Sequence, residues 1–516
     1  NYEDGSEGSI LGGAKPFVRS STLERDSAML VVEAAPTNDL KMTFDALYVD
    51  FLDTKRLRGI EVPFAWGQGS ISGDTAVIDP DTGFVTSAIT QDQRVVVRND
   101  YEERDAELMS FGFNTNWAVS DNWVLDFDAS YSKVERDVYS VESYSGTGRG
   151  NDRGEADTLG YEFNSGNTGA TFSHGLDYSD YNLIQLGGPL SWGWSGALNE
   201  KYGVVGTEYE NQLQDGFINA PTIDDELTSL KLAASQEIDS DFITDISYGV
   251  AYREREKTKK SEGYFMTLSS FNYPNNPGNL VVPEEYRLGT ASLDFIGMGD
   301  MIAYNTQGLI NDGYYDLLAE SLTNPSHSTK SWMVNEKVMS AFVQAELATE
   351  VSGMELTGNF GVRYIYTDQS SQGNAFNSVD GLIVSEPTDV SHDYSHFLPS
   401  LNLSLKIDDE QSLRFGAAKT ISRARLDEMN ASFTAEYKQQ PDDQGNFWSV
   451  SGGNPALEPK EAIGIDLSYE NYFSDEGYFA VALFHKDLKN WIIDGSYSID
   501  MTGVADPATG ELPPTT

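Results

Sequence analysis

The sequence predicts an all-β protein, a transmembrane antiparallel β-barrel with long extracellular loops, on three observations. Six short polar turns recur at Pro36–Asp39, Ser120–Asn122, Asp239–Asp241, Val351–Gly353, Asp408–Gln411 and Ser474–Gly477, each flanked by segments of alternating apolar residues. Long polar loops separate the hairpins, always on the side opposite the turns, and this asymmetry is what an outer-membrane barrel requires. The strands are also long: crossing a bilayer at a tilt takes ~9–11 residues, against ~5–6 in most globular sheets, and Trp123 to Tyr139 exceeds both.

Each hairpin shows the period of two that places successive side chains on opposite faces. After the first turn Leu40, Met42, Phe44, Ala46 and Tyr48 share one face, and Lys41, Thr43 and Asp45 the other. The second turn is framed by Met109, Phe111, Phe113 and Trp117 and by Trp123, Leu125, Phe127 and Tyr131. Ile246, Tyr248, Val250 and Tyr252 repeat the pattern, as do Phe360, Val362, Tyr364 and Tyr366. So do Leu401, Leu403, Leu405, Leu413 and Phe415, and then Ile465, Leu467, Tyr469, Phe479, Val481 and Leu483. A soluble sandwich would alternate in the same way. Aromatics at the turn ends (Trp117, Trp123, Phe242, Tyr472, Phe473, Tyr478) favour the membrane, whose interface suits rings with a polar edge.

Twelve principal strands follow, paired as 22–34 with 40–51, 104–118 with 123–139, 226–238 with 242–257, 336–349 with 354–368, 394–407 with 412–422, and 460–473 with 478–493. Loops fall at about 52–103, 140–225, 258–335, 369–393 and 423–459. Within them, Thr75–Ile78 and Phe84–Ala88 flank a hairpin turn at Asp79–Gly83. Leu309, Tyr314, Leu317, Leu318 and Leu322 recur at helical spacing and predict a short amphipathic helix over Gly308–Leu322.

Composition sets limits on function. No apolar run among the 516 residues approaches the ~18 of a helical span, which excludes a helical membrane protein and leaves a barrel open. With 34 Lys plus Arg against 81 Asp plus Glu, the formal charge of −47 repels nucleic acid, so no nucleic-acid partner is expected. The acidity reads first as a solvated exterior and lumen, and second as a cation-attracting loop surface that would take structural calcium; no other cofactor is expected. There are no cysteines, so thiolate chemistry and disulfides are absent. The chain opens without a signal peptide and both ends read as mid-loop; strands are therefore expected to be missing at either end.

Candidate sites are few, and no catalytic constellation stands out, so the protein is expected not to be an enzyme. His392 and His396 would share a strand face ~13 Å apart, too far for one metal. Asp79–Gly83 and Asp442–Gly445 lack the ligand series of a calcium loop and read as turns. The loop aromatics Trp66, Trp192, Trp194, Tyr209, Trp332 and Trp448 are the ligand-binding candidates: rings stacking on sugar faces with nearby amides and carboxylates make a saccharide site, and the alternative is that they pack the loops together.

The segment Ser412–Leu426, with Ile421-Ser-Arg423, followed by Gly452-Gly-Asn-Pro-Ala-Leu-Glu-Pro459 and Gly477–Ile492, resembles the barrel of TonB-dependent outer-membrane receptors, in particular the large proteobacterial branch associated with carbohydrate uptake. Arg25-Asp26, Asp45–Phe51 and Arg58–Glu61 are similar to that branch's first-half pattern. The resemblance implies a 22-stranded barrel in the complete protein, an N-terminal plug and a periplasmic segment that engages the TonB–ExbB–ExbD system. Residues 1–516 would then be a partial barrel lacking plug and terminal strands, set in outer-membrane lipid and lipopolysaccharide and binding an extracellular nutrient. It also implies structural roles for Arg423, toward lumen carboxylates or plug backbone, and for Gly452, Gly453, Asn454 and Pro455, at the entry to the next strand. The aromatic loops and the branch point to a neutral oligosaccharide. The alternatives are a ferric siderophore, a non-transporting surface barrel, or a soluble β-rich polysaccharide-active protein.

Overall fold

The computed structural model describes residues 9–64, 69–150, 153–167, 169–189, 196–322, 327–379, 382–437, 445–474, 476–496, 503–505 and 512. Twelve long strands form one antiparallel meander: β1 (Phe17–Thr37), β2 (Leu40–Glu61), β3 (Val96–Ser120), β4 (Trp123–Gly146), β5 (Thr222–Glu237), β6 (Ile243–Lys260), β7 (Trp332–Val351), β8 (Met354–Val379), β9 (Leu382–Lys406), β10 (Gln411–Ser422), β11 (Lys460–Ser474) and β12 (Gly477–Lys489). Each pairs with its neighbours in chain order. Within the described residues β1 and β12 are paired on one side only.

The register joins the alternating residues into one apolar face. Phe44 faces Phe113, which faces Ala129, then Leu230, Tyr252, Met339 and Tyr366 on successive strands. Farther round, Phe360 faces Leu401, Ala417 and Ile465. Phe44, Phe111, Phe127, Tyr248 and Leu467 are all exposed, while Val362 and Leu403 are half-buried on that same face. A continuous ladder of exposed rings and aliphatic chains needs an apolar solvent, because in water it would be an aggregation site.

Most strands run well past the membrane, and there the sequence underestimates them; β12, expected to 493, ends at Lys489 instead. On β6 the apolar face changes from Tyr248, Val250 and Tyr252 to Glu254 and Glu256, yet the ladder continues to Lys260. Apolar alternation stops where lipid stops; backbone pairing does not. The fourth predicted loop, 369–393, is strand over all its described residues, since β8 and β9 remain paired as far as Val379 and Leu382.

The loops after β2, β4 and β6 pack together into a head with its own core, including Ile60, Val97, Val141, Leu159, Tyr161, Leu186, Met266, Ile302 and Tyr304. The predicted turn at Asp79–Gly83 is present: Asp79 Oδ1 accepts from the amides of Asp81 (2.8 Å) and Thr82 (3.1 Å), and Gly83 has φ +68°. Those amide donors hold the Asp79 carboxyl below its ordinary range. The predicted helix at Gly308–Leu322 is corrected. Only Thr306–Asn311 is α-helical; Gly313 turns at φ +76°, Tyr315–Ala319 is a strand paired with Gly263–Leu268, and Glu320–Leu322 is a single 3-10 turn. Apolar residues spaced for a helix were recruited by a waiting strand edge.

Candidate ligand-binding mouth

The polar face lines the lumen, and at the loop end of the sheet it is densely charged. Along β6, Arg253, Arg255, Lys257 and Lys259 occupy the polar face while Glu254 and Glu256 occupy the other. The local sequence Arg-Glu-Arg-Glu-Lys-Thr-Lys sorts charge by sign, because a strand sends alternate residues to opposite sides. Arg255 grips Asp225 with both Nε (2.8 Å) and Nη2 (2.6 Å), the bidentate geometry in which a guanidinium binds a carboxylate most specifically. In register, Arg255 faces Glu336, Lys257 faces Val334 and Lys259 faces Trp332. Burial and the like charge of Lys330 push the Lys259 pKa down.

Across β2, β3 and β4 a second constellation centres on the buried Arg98. Its guanidinium meets Glu61 (2.8 Å), Asp100 (2.8 Å) and Glu142 (3.0 Å) and lies 5.1 Å from the centre of the Tyr144 ring. Lys15 reaches Glu61 as well, at 2.5 Å. Burial pushes the Asp100 carboxyl up to about 6, against the pull of Arg98 and the Ser143 amide. Lower on the wall Lys55 joins Glu102 (2.7 Å) and Asp53 (2.9 Å), and Arg104 also reaches Glu102 (2.8 Å). These groups neutralise one another; they make a firm wall with little unspent charge.

The described residues of 421–437 and 445–459 close onto the mouth. Arg423 Nε sits 3.0 Å from Glu336, and Nη2 donates to Thr367 Oγ1 (3.2 Å), so its partner is a lumen-facing carboxylate. The Asn454 amide donates to the Glu428 carbonyl (2.8 Å), and Gln369 donates to the carbonyls of Pro455 (2.7 Å) and Leu457 (3.0 Å). At Gly453 a Cβ would stand 2.6 Å from the Asn430 carbonyl oxygen, and at Gly452 it would stand 2.6 Å from the Ser432 carbonyl oxygen. Close backbone approach therefore selects glycine at these two positions.

Of the six aromatic candidates, Trp66, Trp192 and Trp194 lie outside the described residues. Tyr209 is buried in the head, with the Arg153 guanidinium 3.8 Å from its ring centre and Phe271 and Tyr273 at 5.9 and 5.7 Å. Trp332 is half-buried against the Val334–Leu426–Met429 cluster beside Lys259. Trp448 is half-buried in a short strand, facing Tyr437 in register. His392 and His396 share the polar face with Tyr394 between them, and each addresses a different carboxylate: Glu458 at 3.4 Å and Glu461 at 2.8 Å. The basic column on β6 was not among the sequence candidates, although its alternation of sign at period two was visible.

A family model described as TonB dependent receptor-like, beta-barrel matches residues 174–510, well over half of the chain. The chain belongs to the TonB-dependent receptor family. Its twelve-stranded meander, outward apolar band and charged lumen are thus those of an outer-membrane receptor barrel. Similar solved structures include the Serratia marcescens hemophore receptor HasR, as a double mutant with its hemophore HasA and heme (10% identity, TM-score 0.31, covering 92% of this chain and 55% of that one). Others are the siderophore receptor PiuA from Acinetobacter baumannii (11%, 0.38, 93% and 57%) and a mutant of the ferric enterobactin receptor PfeA from Pseudomonas aeruginosa (10%, 0.27, 91% and 53%). The chain spans little more than half the length of these receptors. No curated protein matches it.

Proposed function

We propose that the protein is an active-transport receptor that captures a scarce nutrient, an oligosaccharide, at its loop side and passes it through the lumen with energy from the TonB–ExbB–ExbD system. The observation that carries this is the charged polar face running from the turn rim to a mouth roofed by packed loops, in a chain of this family. The apolar band takes lipid and, in the outer leaflet, lipopolysaccharide. The plug and the TonB-engaging segment belong, on this reading, to polypeptide outside residues 1–516. No catalytic step is assigned: the function is capture and passage. Trp332 and Trp448, with Trp66, Trp192 and Trp194, are the stacking candidates.

The test is uptake of labelled oligosaccharides in isogenic cells with and without TonB, together with binding of an oligosaccharide panel and a ferric-siderophore panel to the purified receptor. Uptake should vanish without TonB; uptake that persists unchanged sinks the energy coupling. Tight binding of siderophores alone overturns the saccharide. Trp332→Ala, Trp192→Ala and Trp194→Ala should each weaken sugar binding by roughly 1–3 kcal/mol if the ring is a stacking platform, a magnitude taken from base–aromatic stacking.

A further inference from the structure

The column Arg253, Arg255, Lys257 and Lys259 begins one residue beyond Tyr252, the last apolar residue on the lipid-facing side of β6, and so stands in the mouth outside the bilayer. In a chain of net charge −47 it is a local reversal of the field. Its neutralisation is incomplete. Arg255 is bound to Asp225. Asp427, which Arg425 holds ionised, lies close enough to Lys257 to feel its charge. Among the described residues, Arg253 and Lys259 form no ion pair; Lys259 feels the like charge of Lys330 more strongly than the opposite charge of Asp427. Aligned cations that repel one another are stabilised by whatever anion lies between them. Alternate strand residues stand ~6.6 Å apart, so the column offers positive groups at a regular interval along one line. Trp332 faces Lys259 and puts a ring beside the outermost cation.

We propose that this column binds a ligand bearing two or more carboxylates, laid along β6 at the mouth. The inference rests on the receptor reading above and replaces the neutral ligand expected from net charge with an anionic one. Net charge misleads here because the pleat segregates sign: the glutamates of the same strand face away from the lumen. On the walls of β2 to β4 the cations Arg98, Lys55 and Arg104 are taken up by carboxylates and offer the anion no free charge, which confines it to this side.

The experiment is calorimetric titration of the full-length receptor in detergent at low salt with three probes: trigalacturonate, its methyl ester and ferric citrate. Trigalacturonate should bind at least ten-fold tighter than the ester, lose affinity as salt rises, and weaken at least ten-fold in R253Q/K257Q/K259Q. Arg253→Gln alone, at an exposed position, should give a smaller loss in the same direction. Ferric citrate bound in place of trigalacturonate, with the same loss in the triple variant, supports the anion column and identifies a chelate as its source. Equal binding of ester and acid overturns the column while leaving the saccharide receptor standing. Silence toward both carboxylate probes overturns it too. So does a variant that binds as before but melts earlier, which would assign the column to acidic groups of the polypeptide itself.

Discussion

Arg98 is nine-tenths enclosed and faces three carboxylates, so the wall around it depends on how many of those are ionised at once. Asp100, beyond the apolar band on β3, is the one that burial raises, to about 6 from an ordinary 3.8. Between those values the folded protein keeps a proton that the unfolded chain has released. By linkage, stability falls as pH rises from ~4 to ~6 and is level above that window. Asp100→Asn cannot ionise, so the drop in thermal midpoint between pH 4 and 6.5 in detergent should shrink in this variant; an unchanged drop would assign it to another group. The residue scale is also where the sequence spoke least. The carboxylate partner expected for Arg423 is there, in Glu336, but nothing in a linear reading pairs positions so far apart. Gly452 and Gly453 were expected at the entry to the next strand, and what they supply there is absence of a Cβ where two carbonyls approach.

At the scale of elements, all twelve strands and the six turns were legible, because period-two alternation and polar turn residues are local signals. Their loop-side ends were not, because beyond the bilayer both faces of a strand are polar and only the ladder distinguishes strand from loop. The misassigned helix at Gly308–Leu322 has the same root: its fate was decided by its pairing with Gly263–Leu268, far away in sequence. The β7–β8 turn shows what local sequence does fix. Ser352 and Gly353 have φ +55° and +79°, both positive as in a type I′ turn, whose twist matches the flanking strands. Gly353→Ala should therefore cost about 1–2 kcal/mol, the penalty of a Cβ in left-handed backbone. Ser352→Gly relieves the same penalty and should be neutral or stabilising. Denaturant unfolding of the receptor in vesicles reads both; equal effects of the two variants would mean that the turn has another conformation in the membrane.

For the whole molecule, the same amino acid has opposite consequences at adjacent positions, since a one-residue step along a strand exchanges lipid for lumen. Leu232 is 53% exposed on the apolar face, opposite Phe127 and Val250, and lies about five residues from the end of β5, or ~17 Å along the strand, near mid-bilayer once tilted. Lys231, its neighbour, already holds a charge at that depth, on the lumen side where water can reach it. Leu232→Arg should destabilise the inserted receptor by ~2–4 kcal/mol, the cost of a cation on the lipid face near the midplane. Lys231→Ala, which removes a charge one step away, should change stability little. Reversible unfolding from vesicles measures the pair. If Leu232→Arg is tolerated as well as Lys231→Ala, the face we assign to lipid is wet, and the register that joins Phe44 to Met339 encloses something other than a membrane-spanning barrel.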